Sequence, residues 1–219
     1  MLLPRLDILP PPQRRLWEEL GQVPERFVLY GGTALALRLG HRASEDFDFF
    51  CNEPFAPPDL EREIPFLAGA VRLQASPNTL VSAVERAGPV KVSFFGSLGL
   101  RRVQDPERAE VPGLYVASLL DLAATKVKVV QDRAESKDYL DAARLLEEGI
   151  DLGQVLGAAR SVYGPSFNPL LSVKALCYFG DGDLGRLPAG LQNRLVAAAQ
   201  KVDPTRLPEV PALPGGLRP

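Results

Sequence analysis

The sequence predicts an α+β fold, with a strand-rich part over residues 1–117 followed by a helical part over residues 118–203. Three observations predict it. Short apolar or alternating runs separated by Gly and Pro fill the first half, whereas beyond Ser118 apolar residues recur at helical spacing, and the two patterns meet at one point near residue 117. Residues 204–219 are so rich in Pro and Gly that they read as a flexible tail. Two joined units also predict a cleft between them, the usual place for a ligand.

The elements follow in order. Residues 11–21 start at prolines and carry Leu16, Trp17 and Leu20 at helical spacing, which predicts a short opening helix. Phe27 to Tyr30 is a buried strand closed by Gly31 and Gly32. Thr33 is placed to cap a helix bearing Leu35, Leu37 and Leu39 that ends at Gly40. Asp46 to Phe50 alternates polar and apolar residues, the period of a strand, and Pro57 to Gly69 holds a helix with acidic residues in its first turn. Strands are expected at Val71–Gln74, Thr79–Arg86, Val90–Phe95 and Leu114–Val116, the middle two joined by a turn at Ala87-Gly88-Pro89. Helical stripes then run through Leu119–Val130 and Tyr139–Leu146, the latter stopped by Gly149. Further helices are expected at Leu152–Val162, Leu170–Phe179 and Leu191–Val202.

Composition narrows the chemistry. With 219 residues, 46% hydrophobic and 24% charged, the chain can bury a sizeable core and is neither disordered, collagen-like nor a coiled-coil rod. No apolar run reaches a membrane span of roughly 18 residues. Met1 to Pro12 interrupts its apolar stretch with Arg5, Asp7 and prolines, unlike a secretory leader, so the sequence predicts a cytoplasmic protein. A net charge of -2 excludes a broad basic face for duplex DNA. Cys51 and Cys177 are far apart and read as buried thiols, and the single histidine, His41, reads as a surface-loop residue. Any metal would then be a hard cation on carboxylates.

The chemistry-bearing residues cluster after the first strand. Gly31-Gly32-Thr33 lies where a strand gives way to a helix, so backbone N–H groups and the helix N-terminus can face an anion together. A tight turn alone would also want these glycines. Asp46 and Asp48, two apart on a strand, share one face about 6 to 7 Å apart and can reach a pair of Mg2+ ions for in-line nucleotidyl transfer. The plainer alternative makes them the solvated face of an amphipathic edge strand. Three of the six lysines fall at 126, 128 and 137, and a compact ammonium suits a triphosphate; Lys128 and Lys137 read equally well as a solvated helix face, with Ser136 and Asp138 as a helix cap.

Taken together, Tyr30-Gly31-Gly32-Thr33-Ala34-Leu35-Ala36-Leu37-Arg38-Leu39-Gly40-His41-Arg42, then Ser44 and Asp46-Phe47-Asp48-Phe49-Phe50, closely resemble the signature of the AbiEii/AbiGii-type nucleotidyltransferase family. That family is the toxin side of bacterial abortive-infection and toxin-antitoxin systems. Its later helices match Asp121-Leu122-Ala123-Ala124-Thr125-Lys126 and Lys137-Asp138-Tyr139-Leu140-Asp141. The resemblance spans residues 26–148 and implies a nucleotidyltransferase-like mixed sheet with flanking helices, followed by a helical domain. It also implies an NTP substrate with Mg2+ or Mn2+ on Asp46 and Asp48. Gly31, Gly32, Thr33, Arg42, Ser44, Lys126 and Lys137 would hold the nucleotide, and Asp138 would sit near the reacting hydroxyl or position Lys126. For Arg42 the structural alternative is a pairing with Glu45 or Asp46. The acceptor would be an RNA end such as tRNA, or a protein hydroxyl, and the partner a separately encoded antitoxin.

One departure stands out. Many polymerase-β-like enzymes place a third carboxylate on a later strand, and the corresponding position within Val90–Phe95 holds Ser93, whose hydroxyl cannot replace an anion. Asp138 or Glu85 would have to supply it. Otherwise catalysis is slower, or the chain is a degenerate copy that binds nucleotide, RNA or a partner protein without catalysis. A third reading, a helical interaction module with an unrelated α/β half, predicts no nucleotide binding.

Overall fold

The computed structural model describes residues 1–110 and 113–218. It divides into two compact units, one of Met1–Leu100, Asp105–Leu119 and Gly215–Pro219, the other of Arg101–Gln104 and Leu120–Pro214.

The first unit is built on a seven-stranded mixed sheet. In chain order its elements are α1 (Pro11–Trp17), β1 (Val28–Tyr30), α2 (Gly31–Leu39), β2 (Phe47–Phe50), α3 (Pro57–Glu63), β3 (Val71–Ser76), β4 (Thr79–Glu85), β5 (Pro89–Phe95), β6 (Glu107–Arg108) and β7 (Tyr115–Val116). The sheet order is β3-β4-β5-β2-β1-β7-β6; β1 runs antiparallel to β2, while β2 with β5 and β1 with β7 are parallel.

Alternation along the strands separates two faces. Leu29, Phe47, Phe49, Leu80, Val84, Val90, Val92 and Phe94 are buried on one face, which α1 and α2 cover. Trp17 of α1 lies against Phe47, ring centroids 6.3 Å apart. The other face carries Asp48 of β2 beside Tyr30 of β1 and Ser93 of β5. A sheet sealed on one face and half open on the other is what a period-two pattern dictates.

Several boundaries differ from the sequence reading for identifiable reasons. Helix α2 starts at Gly31 with no side-chain cap, so Thr33 lies inside its first turn and its hydroxyl is used elsewhere. Pro65 opens a short 3-10 turn, and α3 stops at Glu63. Two-residue β6 is too short to show any period. The turn before β5 uses φ of 60° at Ala87 and 139° at Gly88.

The second unit is helical: α4 (Leu119–Asp132, beginning at the boundary), α5 (Ser136–Glu147), α6 (Leu152–Tyr163), α7 (Pro169–Ala175) and α8 (Ala189–Gln200). Gln131 of α4 donates to Ser172 Oγ of α7, which in turn donates to the Val127 carbonyl, a buried tie between the two helices. Asp121, 1% exposed, accepts the backbone N–H groups of Val103 (2.8 Å) and Gln104 (3.1 Å), so this carboxylate anchors the 101–104 segment within the unit. The stretch from residue 204 to 214 is laid along the helices: Ser161 Oγ donates to the Val210 carbonyl, and Leu213 N–H reaches the Arg102 carbonyl at 2.8 Å. No helix among the described residues is long and apolar enough to cross a membrane.

Candidate active site

The site in the first unit starts from a backbone requirement. At the end of β1 the chain enters α2 through Gly31 with φ +75°, a conformation that L residues with a Cβ rarely adopt. A Cβ at Gly31 would stand 2.6 Å from Asp48 Oδ2, so the glycine backbone is pressed against that carboxylate. At Gly32 a Cβ would collide with Arg42 Nη2 and lie 3.6 Å from Ser44 Oγ. The turn, Arg42, Ser44 and Asp48 are therefore brought together, although they are spread over residues 31–48.

Thr33 fixes this assembly from inside. Its side chain is buried; its hydroxyl donates to the Asp46 carbonyl and lies 2.7 Å from Ser44 Oγ. One hydroxyl hydrogen cannot serve both contacts, so Ser44 is the donor of that pair. Thr33 thus orients the loop leading into β2, and only its backbone N–H is left to offer a phosphate. Arg42 Nη1 donates to the adjacent Ala43 carbonyl at 3.0 Å, and His41 is half-buried in the same loop.

Register decides which side chains neighbour the two aspartates. Phe47 pairs with Val92 and Asp48 with Ser93; Asp46, expected to open the strand, lies one residue ahead of β2 and is met by Lys91 of β5. Lys91 Nζ is 2.8 Å from Asp46 Oδ2, both side chains being about two-fifths exposed (45% and 41%). Ser93 is buried beside Asp48. Glu85 does not fill the missing position: it faces Pro89 at the far end of the hairpin, and its carboxylate accepts the Gly88 N–H. Among the described residues no group of three His, Cys, Asp or Glu side chains could hold a metal ion. Two aspartates on a half-open face are hard oxygen donors, and that chemistry fits Mg2+ or Mn2+ rather than a softer metal.

A second constellation lies in the helical unit. Lys126 of α4 is held between Asp138 Oδ1 (2.8 Å) and Asp141 Oδ2 (2.7 Å) of α5. Arg133 Nε adds a contact to Asp138 Oδ2 at 2.8 Å. Both carboxylates are fully buried and Lys126 nearly so, whereas Arg133 is 44% exposed. Arg133 also lies 3.5 Å from Glu135, so its charge is shared between two carboxylates. Burial alone would raise the Asp138 carboxyl, but hydrogen bonds from Arg133 and the charge of Lys126 outweigh it and hold the group below the ordinary carboxylate value.

The two remaining lysines of the 126–137 group have local partners. Lys128 pairs with Asp132 at 2.6 Å, four residues on, and Lys137 with Glu135 at 2.7 Å. Ser136 donates through backbone and hydroxyl to Asp183 (both 2.6 Å), so it ties α5 to the 183 loop instead of capping α5. Cys51 is buried, its thiol pushed up to about 11 by burial. Cys177 is exposed, contrary to the expectation of a buried thiol: α7 ends at Ala175 and Leu176 takes the inward position. Sequence reading missed Lys91, Arg133 and Asp141 as members of these clusters. The last had a signal, since Asp138 and Asp141 at i, i+3 lie on one helix face.

Comparison with known proteins identifies the family and the fold. Residues 15–207 match the family described as nucleotidyl transferase AbiEii toxin of type IV toxin-antitoxin systems. An uncharacterized protein of Aquifex aeolicus (strain VF5) is 33% identical over 158 residues, covering 71% of this chain and 74% of its own. Among solved structures, MenT4, a nucleotidyltransferase toxin of Mycobacterium tuberculosis H37Rv, superposes with a TM-score of 0.61 at 19% identity, over 90% of this chain and 84% of that one. A crystal structure from H. pylori titled as a candidate nucleotidyltransferase gives a TM-score of 0.53 at 21% identity, over 86% and 90% of the two chains. The two structural likenesses establish a shared fold.

Proposed function

The chain belongs to the AbiEii nucleotidyltransferase toxin family of type IV toxin-antitoxin systems, and from that premise we propose that it transfers a nucleoside monophosphate from an NTP to an acceptor hydroxyl in a divalent-metal-dependent reaction. The hydroxyl oxygen attacks the α-phosphorus, the bond to the β-phosphate oxygen breaks, and pyrophosphate leaves. The observation that carries this reading is the glycine turn pressed against Asp48 and Arg42, with Asp46 just ahead of the same strand.

In this reading the backbone N–H groups of Gly31, Gly32 and Thr33 receive the donor's phosphate oxygens, because a turn without Cβ atoms lets an anion approach the helix N-terminus. Arg42 and Ser44 flank that turn; Arg42 adds a charged donor, while Ser44, whose hydrogen goes to Thr33, shapes the rim beside Gly32. Asp46 and Asp48 would hold Mg2+ or Mn2+, which when bound neutralises phosphate charge and polarises the reacting phosphorus. Lys126 is assigned to the charge that develops on the leaving pyrophosphate. Asp138 and Asp141 fix its ammonium in place, so Asp138 acts as a positioning residue for Lys126. Lys137 is a more peripheral phosphate contact, its half-exposed side chain already shared with Glu135.

Family membership supports a separately encoded antitoxin as partner. An RNA end such as tRNA, or a protein hydroxyl, is the acceptor class we assign, and the cytoplasm, where both NTPs and RNA occur, is the assigned compartment. Ser93 beside Asp48 favours one rival, a site that binds nucleotide without transferring it. The purified chain, incubated with each labelled NTP, Mg2+ and total RNA, separates the two: incorporation that Asp48→Asn abolishes selects the enzyme, and nucleotide binding without incorporation selects the rival.

A further inference from the structure

Asp46 needs a support that Asp48 does not. The ladder pairs of β2 with β5 begin at Phe47, so Asp48 is placed by the pleat while Asp46 stands one residue outside it. The direction of the Asp46 side chain is then set by φ and ψ, that is, by the two rigid peptide planes on either side of its Cα. Each plane is held by a side chain from a different helix. Thr33 of α2 donates to the Asp46 carbonyl, in the plane that follows. Gln13 of α1 donates through Nε2 to the Glu45 carbonyl at 3.0 Å, in the plane that precedes. Gln13 stands ahead of the stretch that matches the family, residues 15–207.

Gln13 is 5% exposed, and its Oε1 meets no hydrogen-bond partner among the described residues. A buried amide with one end unsatisfied is less stable than an apolar side chain of the same length, so the core gains nothing from a glutamine here. Turning the amide round would set Oε1 against the Glu45 carbonyl oxygen. Its base is firm: Leu16 and Trp17 of the same helix are buried, and Trp17 lies against Phe47, the residue after Asp46. Resting on the reading of Asp46 and Asp48 as the metal site, we propose that Gln13 is a positioning residue that aims the Asp46 carboxylate at the divalent ion. With Thr33 it clamps both peptide planes of Asp46, in place of the strand pairing that begins one residue later.

The Mn2+ affinity of the full chain without nucleotide, read by electron paramagnetic resonance beside urea unfolding, tests this. Wild type should bind Mn2+ and Asp48→Asn should lose it. Gln13→Met should bind about tenfold more weakly, as when the support of a metal ligand is removed. It should also unfold at the wild-type urea midpoint: methionine takes away the orphaned oxygen, and Glu45 is exposed, so water can replace the lost donor. Unchanged affinity, or a weaker site that comes only with a lowered midpoint, would overturn the proposal while the loss in Asp48→Asn still marks the metal site. Should Gln13→Met fail to fold, Gln13→Asn, which keeps the amide but falls one methylene short of Glu45, is read in the same way. Mn2+ uptake insensitive to Asp48→Asn would overturn the metal site and this role with it.

Discussion

Gly31 and Gly32 are adjacent, yet the structure asks different things of them, and replacing each by alanine separates backbone strain from side-chain displacement. At Gly31 the φ of +75° forces any L residue into the left-handed region, at about 1–2 kcal/mol. The new Cβ, 2.6 Å from Asp48 Oδ2, must also push that carboxylate off its rotamer, for about 0.5–1.5 kcal/mol more. Gly31→Ala should thus lose about 1.5–3.5 kcal/mol in total. At Gly32 φ is not positive, and the clash is with the far end of the flexible Arg42 side chain. Gly32→Ala should leave stability within about 0.5 kcal/mol of wild type. Urea unfolding with linear extrapolation reads both values, and NTP incorporation reads function. Incorporation should fall in both variants, through Asp48 in the first and Arg42 in the second. If Gly31→Ala unfolds at the wild-type midpoint and still transfers nucleotide, the close packing of turn and carboxylate has no role.

The remaining predictions concern charge and packing. Asp138→Asn removes one anion from the buried cluster and should cost about 3 kcal/mol, the low end for a broken buried pair because Asp141 stays on Lys126. Since the folded Asp138 value lies below the unfolded one, this stabilisation is complete above about pH 3.9 and is lost as pH falls through the folded value; urea midpoints of wild type and variant should converge only in strong acid. Asp46→Asn breaks a half-exposed pair and should change stability by no more than about 1 kcal/mol while abolishing incorporation; full activity would remove Asp46 from the site. Of the two cysteines, only exposed Cys177 should react promptly with a thiol reagent at pH 8, Cys51 being buried with its thiol raised to about 11; two fast thiols would contradict that packing.

How much of this could be read from the chain alone follows the range of the forces involved. Strands and helices were legible because burial imposes its period locally: Phe47 and Phe49 turn inward and Asp48 does not, and α4 to α8 start within three residues of the apolar runs that suggested them. The role of Thr33 was not. A threonine at a strand-to-helix junction is equally suited to cap the helix or to bond outside it. What decides is the return of residues 44–46 to its hydroxyl, a tertiary event.

The same distinction governs the charges. That Asp48 turns away from Phe47 and Phe49 needs only the pleat of one strand, but the neighbours the two aspartates have are set by which strand lies beside β2 and in what register. Had β5 paired one residue out of step, Val92 and Phe94 would face Asp48's side and Lys91 would point into the core, where an unpaired ammonium could not be accommodated. Burial of Val90, Val92 and Phe94 therefore fixes Lys91 beside Asp46 as a by-product of making the core. The electrostatics of the site follow from the hydrophobic pattern of a strand some forty residues away. A substitution that shifted this register would alter the charge beside the aspartates without touching either of them.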